Sequence, residues 1–236
     1  MTAGKAMVDT GAMSALPVLY SFRRCPYAMR ARLAVLSSGT AVELREIVLR
    51  DKAPEFLAVS PSATVPCLVT GEGDVIDESL DIMLWALRRH DPEGWLAPEA
   101  ASMEDMLALI AEIDGPFKRH LDRYKYDNRY PDTDREQERA AAAGYLTGLN
   151  DRLIRTPWLF GTRASLADYA VLPFVRQFAN TDRAWFEAQA WPHLLHRLQA
   201  FETSDRFAAI MTKYEKWQSG VELMQFGEEG CFGADR

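Results

Sequence analysis

The hydropathy pattern of this chain changes character once, at residues 91–98, and that change limits the folds open to it. The segment holds two prolines and a glycine, a composition typical of a boundary between units. Before it, short apolar runs alternate with helix-period segments. After it, every strongly periodic segment has helical spacing. With 236 residues the chain is long enough for two modest domains. Hydrophobic residues make up 48% and charged residues 26%, so a core can form without disulfide or metal. The formal charge of −7 argues against a nucleic-acid partner, which selects for a basic face. No apolar run reaches the roughly 20 residues needed to span a bilayer.

In the first unit, Leu16-Pro17-Val18-Leu19-Tyr20-Ser21 reads as a buried strand. Met29, Leu33 and Leu36 predict a helix over 27–37, with Gly39 as its stop. A second strand is expected over 42–48 and a short helix over 52–59, closed by Pro61. Pro66-Cys67-Leu68-Val69-Thr70, the turn Gly71-Glu72-Gly73-Asp74 and Val75-Ile76 predict a hairpin. Leu80, Met83, Leu84 and Leu87 then give a helix ending near His90. The order is βαβαββα over residues 16–91, followed by an all-helical unit over 98–218. In that unit Met103, Met106, Leu107, Ile110 and Ile113 form one stripe, and Tyr145, Leu149 and Leu153 another. Ser165-Leu166-Ala167-Asp168 has the pattern of a capping box opening a helix. Pro173 is expected to kink or break that helix, and Leu194, Leu195, Leu198 and Phe201 mark a later one. Residues 1–15 read as a flexible N-terminal extension without a secretory h-region, and 219–236 as a C-terminal tail.

The chemistry concentrates at Arg23-Arg24-Cys25-Pro26-Tyr27-Ala28-Met29-Arg30. Cys25 falls between a strand and a helix, with Pro26 where a first helical turn tolerates it. Unpaired N–H groups and the helix dipole favour negative charge there, and Arg23, Arg24 and Arg30 add positive potential. Thiols in such settings titrate at roughly 3.5–7.5, and the thiolate is the nucleophile. Cys25, Cys67 and Cys231 make an odd, widely spaced set, which points to a reducing, cytoplasmic setting rather than a disulfide framework. A second cysteine three residues after Cys25 would allow an internal disulfide cycle, but Ala28 stands there. A mixed disulfide on Cys25 must then be resolved by an outside thiol, for which glutathione is the cytosolic candidate. Cys67 reads as a small buried strand residue rather than a resolving thiol, and Cys231 as an incidental tail residue.

Cys25-Pro26-Tyr27-Ala28-Met29-Arg30-Ala31-Arg32-Leu33, Thr64-Val65-Pro66 and Asp77-Glu78-Ser79-Leu80-Asp81-Ile82 resemble the glutathione S-transferase superfamily. The cysteine start is similar to its omega-like members and to the transferase-shaped glutaredoxin 2. The resemblance covers about residues 16–218, and implies an N-terminal thioredoxin-like domain with a C-terminal all-helical domain. It implies that Cys25 exchanges disulfides with glutathione and that Pro66 is a cis-proline presenting the backbone of Val65 to the tripeptide. Glu78 and Ser79 would hold the γ-glutamyl end, at a helix start able to receive a carboxylate. Lys52 would meet the glycyl carboxylate, unless it is a solvated surface lysine. The glutaredoxin 2 pattern has a second cysteine where Ala28 stands, so such activity here would be monothiol. The expected function is a glutathione-dependent thiol transferase or reductase without a metal. Its partners would be glutathione as co-substrate, a small electrophile or disulfide, and a second copy of the chain as homodimer. Alternatives are conventional conjugation of glutathione to electrophiles and a non-catalytic protein-binding module. His120-Leu121-Asp122-Arg123-Tyr124-Lys125-Tyr126, with Arg129 and Tyr130, offers basic and aromatic groups for the second substrate, or is a solvated helix end.

Overall fold

The computed structural model describes residues 16–228; the expected extension over 1–15 and Cys231 lie outside the described residues. The N-terminal unit runs β1 (Val18–Ser21), α1 (Pro26–Ser38), β2 (Val42–Glu46), α2 (Pro54–Val59), β3 (Cys67–Val69), β4 (Val75–Ile76) and α3 (Ser79–Arg89). β1 pairs with β2 in parallel and with β3 antiparallel, and β4 closes the hairpin on β3. This is the thioredoxin-like order that the alternation of apolar runs predicts. α1 begins with Pro26, whose missing N–H costs nothing in a first turn. It ends at Gly39, which takes a left-handed φ of 66° and donates its N–H to Leu36 O.

Within the expected tail of 219–236, the described residues up to 228 include a strand. Gln225–Phe226 form a further strand, β5, antiparallel to β2, so the sheet order is β4-β3-β1-β2-β5. The bonding capacity of the free β2 edge explains this: Leu44 N–H reaches Met224 O at 2.8 Å and Trp217 N–H reaches Glu46 O at 2.9 Å. Trp217 then stacks on the Arg45 guanidinium, 4.2 Å from the ring centroid.

The helical unit comprises α4 (Met103–Glu112), a π-helical turn (Ile113–Phe117), α5 (Lys118–Lys125), a 3-10 turn (Asp127–Arg129), α6 (Arg135–Leu153), α7 (Leu166–Ala179), α8 (Arg183–Glu187), α9 (Pro192–Thr203) and α10 (Asp205–Ile210). Pro116 sits inside the π turn, where a missing backbone donor is tolerated better than in a regular helix. Pro173, by contrast, neither ends α7 nor divides it. Nearly every α7 residue is buried, and packing on all sides outweighs the lost hydrogen bond. α6 starts ten residues ahead of the Tyr145 stripe, since its first turns are polar and alanine-rich and carry no apolar signal. Asp134 caps it by accepting from Glu136 and Gln137 N–H. Among the described residues no helix is long and apolar enough to cross a membrane.

The segment at 91–98 joins the two units firmly. Trp95 is fully buried, stacked on Tyr169 with centroids 4.1 Å apart. Asp91 accepts from Trp95 and Leu96 N–H, and Arg163 crosses Gly94 to reach the carbonyls of Glu93, Gly94 and Ala97. A Cβ on Gly94 would come within 2.2 Å of that guanidinium. One apolar core runs from Leu19 and Met29 through Ile82 and Trp95 to Phe174 and Leu198, so both units share it.

Asp168 secures the start of α7. Its buried carboxylate accepts from Ser165 N–H (2.8 Å), Ser165 O–H (2.7 Å) and Leu159 N–H (2.9 Å). Asp168→Ala strands these donors, at about 1–3 kcal/mol for each one left unsatisfied. A loss of about 2–4 °C in Tm per kcal/mol is expected, read by thermal unfolding; an unchanged midpoint would contradict the capping role.

Candidate functional site

The first strand delivers the chain to Phe22, where a turn closes by Cys25 N–H to Phe22 O at 2.9 Å. Cys25 is the residue before α1, in extended conformation, and its carbonyl accepts from Met29 N–H. The sulfur therefore projects from the helix start, as the sequence position suggests. It opens into a cleft of about 980 Å³ between the two units, and Lys52, Val65, Pro66, Glu78 and Ser79 line the same cleft. The Val65–Pro66 bond is cis, as the resemblance implies.

Each wall has a physical reason for its place. The 60–66 loop is held to the β4–α3 junction by Asp77, which accepts from Ser60 O–H and Ser62 N–H, both at 3.0 Å. Ala63 in that loop has a φ of 53°, a left-handed conformation that costs a side chain about 1–2 kcal/mol. Ser79 is the first residue of α3 and Glu78 its cap. Arg30 Nε donates to Ser79 Oγ at 3.0 Å, which leaves the hydroxyl hydrogen free to donate to a ligand carboxylate. Lys52 is half-buried on the loop entering α2.

Arg30 is 2% exposed and forms a two-pronged pair with Asp114, both N···O distances 2.8 Å. Its guanidinium also lies over Tyr27 and Phe174. Asp114 belongs to the π turn of the helical unit and Arg30 to α1. The cleft is thus held across the domain boundary by a charge-assisted fork. Behind the cysteine loop, Glu46 accepts from Arg23 N–H (2.8 Å) and pairs with the fully buried Arg32. Arg32 also donates to Ser21 Oγ and Ile210 O.

The expectation of a low-titrating thiol is corrected by the partial burial of Cys25. Loss of water pushes its thiol above the ordinary value, outweighing the N–H groups of Ala28 and Tyr27 and the charges of Lys118 and Arg30. The thiol also lies 3.6 Å from Val65 O, placed to donate to it, which favours the protonated form. Arg23 adds little potential at the sulfur, because its guanidinium is turned to Met211 O. Cys67 is fully buried, and burial together with the Asp77 charge pushes its thiol up to about 12. Asp114 and Lys118 escaped the sequence reading: neither has a motif, and both reach the cleft only through the π turn.

The 120–130 segment splits between these surroundings. Lys125, Tyr126, Arg129 and Tyr130 line the cleft, together with Lys118 and Asp122, whereas Leu121 and Tyr124 are core residues. His120 and Arg123 turn to Glu138.

Comparison with known proteins places this geometry. The family model for the glutathione S-transferase N-terminal domain matches residues 19–94, and that for the C-terminal domain matches 132–200. Omega-1 glutathione S-transferases of Rattus norvegicus and Sus scrofa are 26% and 24% identical over 163 and 188 residues. Those stretches cover 67% and 79% of this chain and 66% and 69% of the relatives. A glutathione transferase family member from Pseudomonas fluorescens superposes with a TM-score of 0.73 at 18% identity, covering 86% of this chain and 95% of that one. Glutathione transferase Omega 3C from Trametes versicolor gives 0.69 at 21%, over 86% of each chain. At that identity the superpositions speak for the fold. The first domain model falls on the sheet and helices that carry Cys25, and the second on α6 to α9 of the helical unit: the chain belongs to the glutathione S-transferase superfamily and is omega-like.

Proposed function

We propose that this protein is a glutathione-dependent thiol transferase in which Cys25 forms a mixed disulfide with glutathione. The observation that carries the reading is the convergence of Cys25, Lys52, Val65, Pro66, Glu78 and Ser79 on one cleft. The donor set suits a tripeptide with two carboxylates: an ammonium at Lys52, and a free hydroxyl with helix N–H groups at Ser79. The Cys25 thiolate attacks the glutathionyl sulfur of a substrate disulfide. A Cys25–glutathione disulfide forms, the substrate S–S bond breaks, and the substrate leaves as a thiolate that takes a proton from water. The thiolate of a further glutathione then attacks the bound glutathionyl sulfur, releasing glutathione disulfide and restoring the Cys25 thiolate. The Pseudomonas fluorescens neighbour is described with two glutathione bound, which supports room for both. With Ala28 where a resolving thiol would stand and Cys67 buried, no second thiol among the described residues is placed to compete for the second step. The reading includes a homodimer working in a reducing cytoplasm, as the family resemblance implies.

A buried thiol lowers the thiolate population but raises its reactivity, because nucleophilicity follows pKa with a Brønsted slope of about 0.4–0.5. Protonation of Cys25 also favours a second reading. A thiol that donates to Val65 O can instead donate to the sulfur of bound glutathione and stabilise its thiolate for conjugation to an electrophile, as hydroxyls do in other members.

Cys25→Ser separates the two. On the first reading it brings reduction of a glutathione mixed disulfide to the uncatalysed rate; on the second it retains conjugation to an activated aryl chloride. Full disulfide reductase activity in the variant would contradict the first. Alkylation tests the state of the thiol. Because the folded pKa lies above the ordinary 9.0, the iodoacetamide rate at Cys25 without glutathione should climb about tenfold per pH unit up to and beyond that value. A rate already level near pH 7 would contradict it.

A further inference from the structure

The cleft holds more positive charge than the proposed glutathione contacts use. Arg30 is committed to Asp114 and Lys118 to Asp122. Among the described residues, Arg24, Lys125 and Arg129 line the same cleft without an ion pair. They are held by rings instead: Arg24 over Phe22 at 5.3 Å, and Lys125 and Arg129 over Tyr126 at 5.3 and 4.5 Å. These cations stand near one another and near the sulfur. Arg24 and Lys118 bear electrostatically on Lys125, and the charge of Cys25 bears on Tyr126. Half-buried, Lys125 loses hydration, which outweighs the favourable charge of Asp122, and Lys118, Arg176 and Arg24 disfavour its charge further. Bound anion would relieve both penalties. The arrangement is not a by-product of a basic protein, since the chain carries a net charge of −7. Low-dielectric walls also focus such a field on whatever enters.

We propose that Arg24, Lys125 and Arg129 select second substrates that carry a carboxylate, or a comparable anion, on the group beyond the reacting sulfur. The preferred substrates are then mixed disulfides between glutathione and an acidic thiol. This rests on the reading that glutathione occupies the part of the cleft bounded by Lys52 and Ser79. Tyr126 and Tyr130 would flank the acid's carbon skeleton, while Asp122, engaged by Lys118, would offer little to a cationic group that Arg24, Lys125 and Arg129 repel.

The test uses three non-reducible glutathione thioethers of matched size: S-(2-carboxyethyl), S-(2-carbamoylethyl) and S-(3-aminopropyl). Their glutathione portions are identical, so differences in Kd by isothermal titration calorimetry report the added group. At low salt the carboxyethyl form should bind about tenfold more tightly than the carbamoylethyl form and more tightly still than the aminopropyl form. The preference should fall in about 0.5 M salt, where screening shortens to a few ångströms. The Lys125→Gln/Arg129→Gln double variant should bring the ratio of carboxyethyl to carbamoylethyl affinity towards one. Equal Kd values for the three thioethers, with glutathione itself bound, would overturn the charge selection and leave the glutathione site standing. A double variant that keeps the full preference would overturn the residues assigned. If neither glutathione nor any thioether binds, the glutathione reading fails and the selection fails with it.

Discussion

The Arg30 guanidinium holds three parts of the cleft in register. Its two terminal nitrogens grip Asp114 across the domain boundary, its Nε fixes the hydroxyl of Ser79, and its faces meet Tyr27 and Phe174. A buried pair of this kind adds little net stability compared with apolar side chains of similar size, because desolvating the charges offsets their attraction. What it supplies is placement. Removing either partner strands a charge in the interior, so α1, the start of α3 and the π turn keep one arrangement. Cys25 lies little more than one helical turn from Arg30, and the cysteine end of the cleft inherits that order.

The same burial sets the chemistry of the sulfur. Exposed at a helix start, a cysteine among arginines would ionise readily. Here the loss of water dominates, and the nearby cations recover only part of the difference. On the proposed reading the thiolate would be sparse but more nucleophilic, and its formation would depend on what else occupies the cleft. An anionic substrate paired with Arg24, Lys125 and Arg129 would cancel some of the positive potential that favours the thiolate. On this proposal the charge of the second substrate and the reactivity of the thiol would be coupled through one cavity.

Much of this was legible in the sequence because local patterns carry it. The βαβαββα order follows from short apolar runs bounded by glycine and proline, and the Ser165–Asp168 cap from its spacing. What was not legible depends on partners distant in the chain. The Arg30–Asp114 pair spans 84 positions, and no local pattern announces it. β5 is two residues long in a segment of mixed composition, and only the free edge of β2 makes it a strand. Pro173 argues for a break that the near-complete burial of α7 overrides. The sequence offered Lys125 and Arg129 as basic groups for a second substrate, and the fold adds that Arg24 faces the same cavity. The acidity expected of Cys25 differs from that in the fold for the same reason, since a motif records the helix start and says nothing of the walls around the sulfur.

The central claim is that Cys25 exchanges disulfides with glutathione in this cleft. Incubating the protein with glutathione disulfide and mapping its peptides by mass spectrometry tests that claim most directly. A glutathionyl adduct on the Cys25 peptide, removed by added glutathione and absent from the Cys67 peptide, is the result predicted. An unmodified Cys25, or an adduct confined to Cys67, would contradict it.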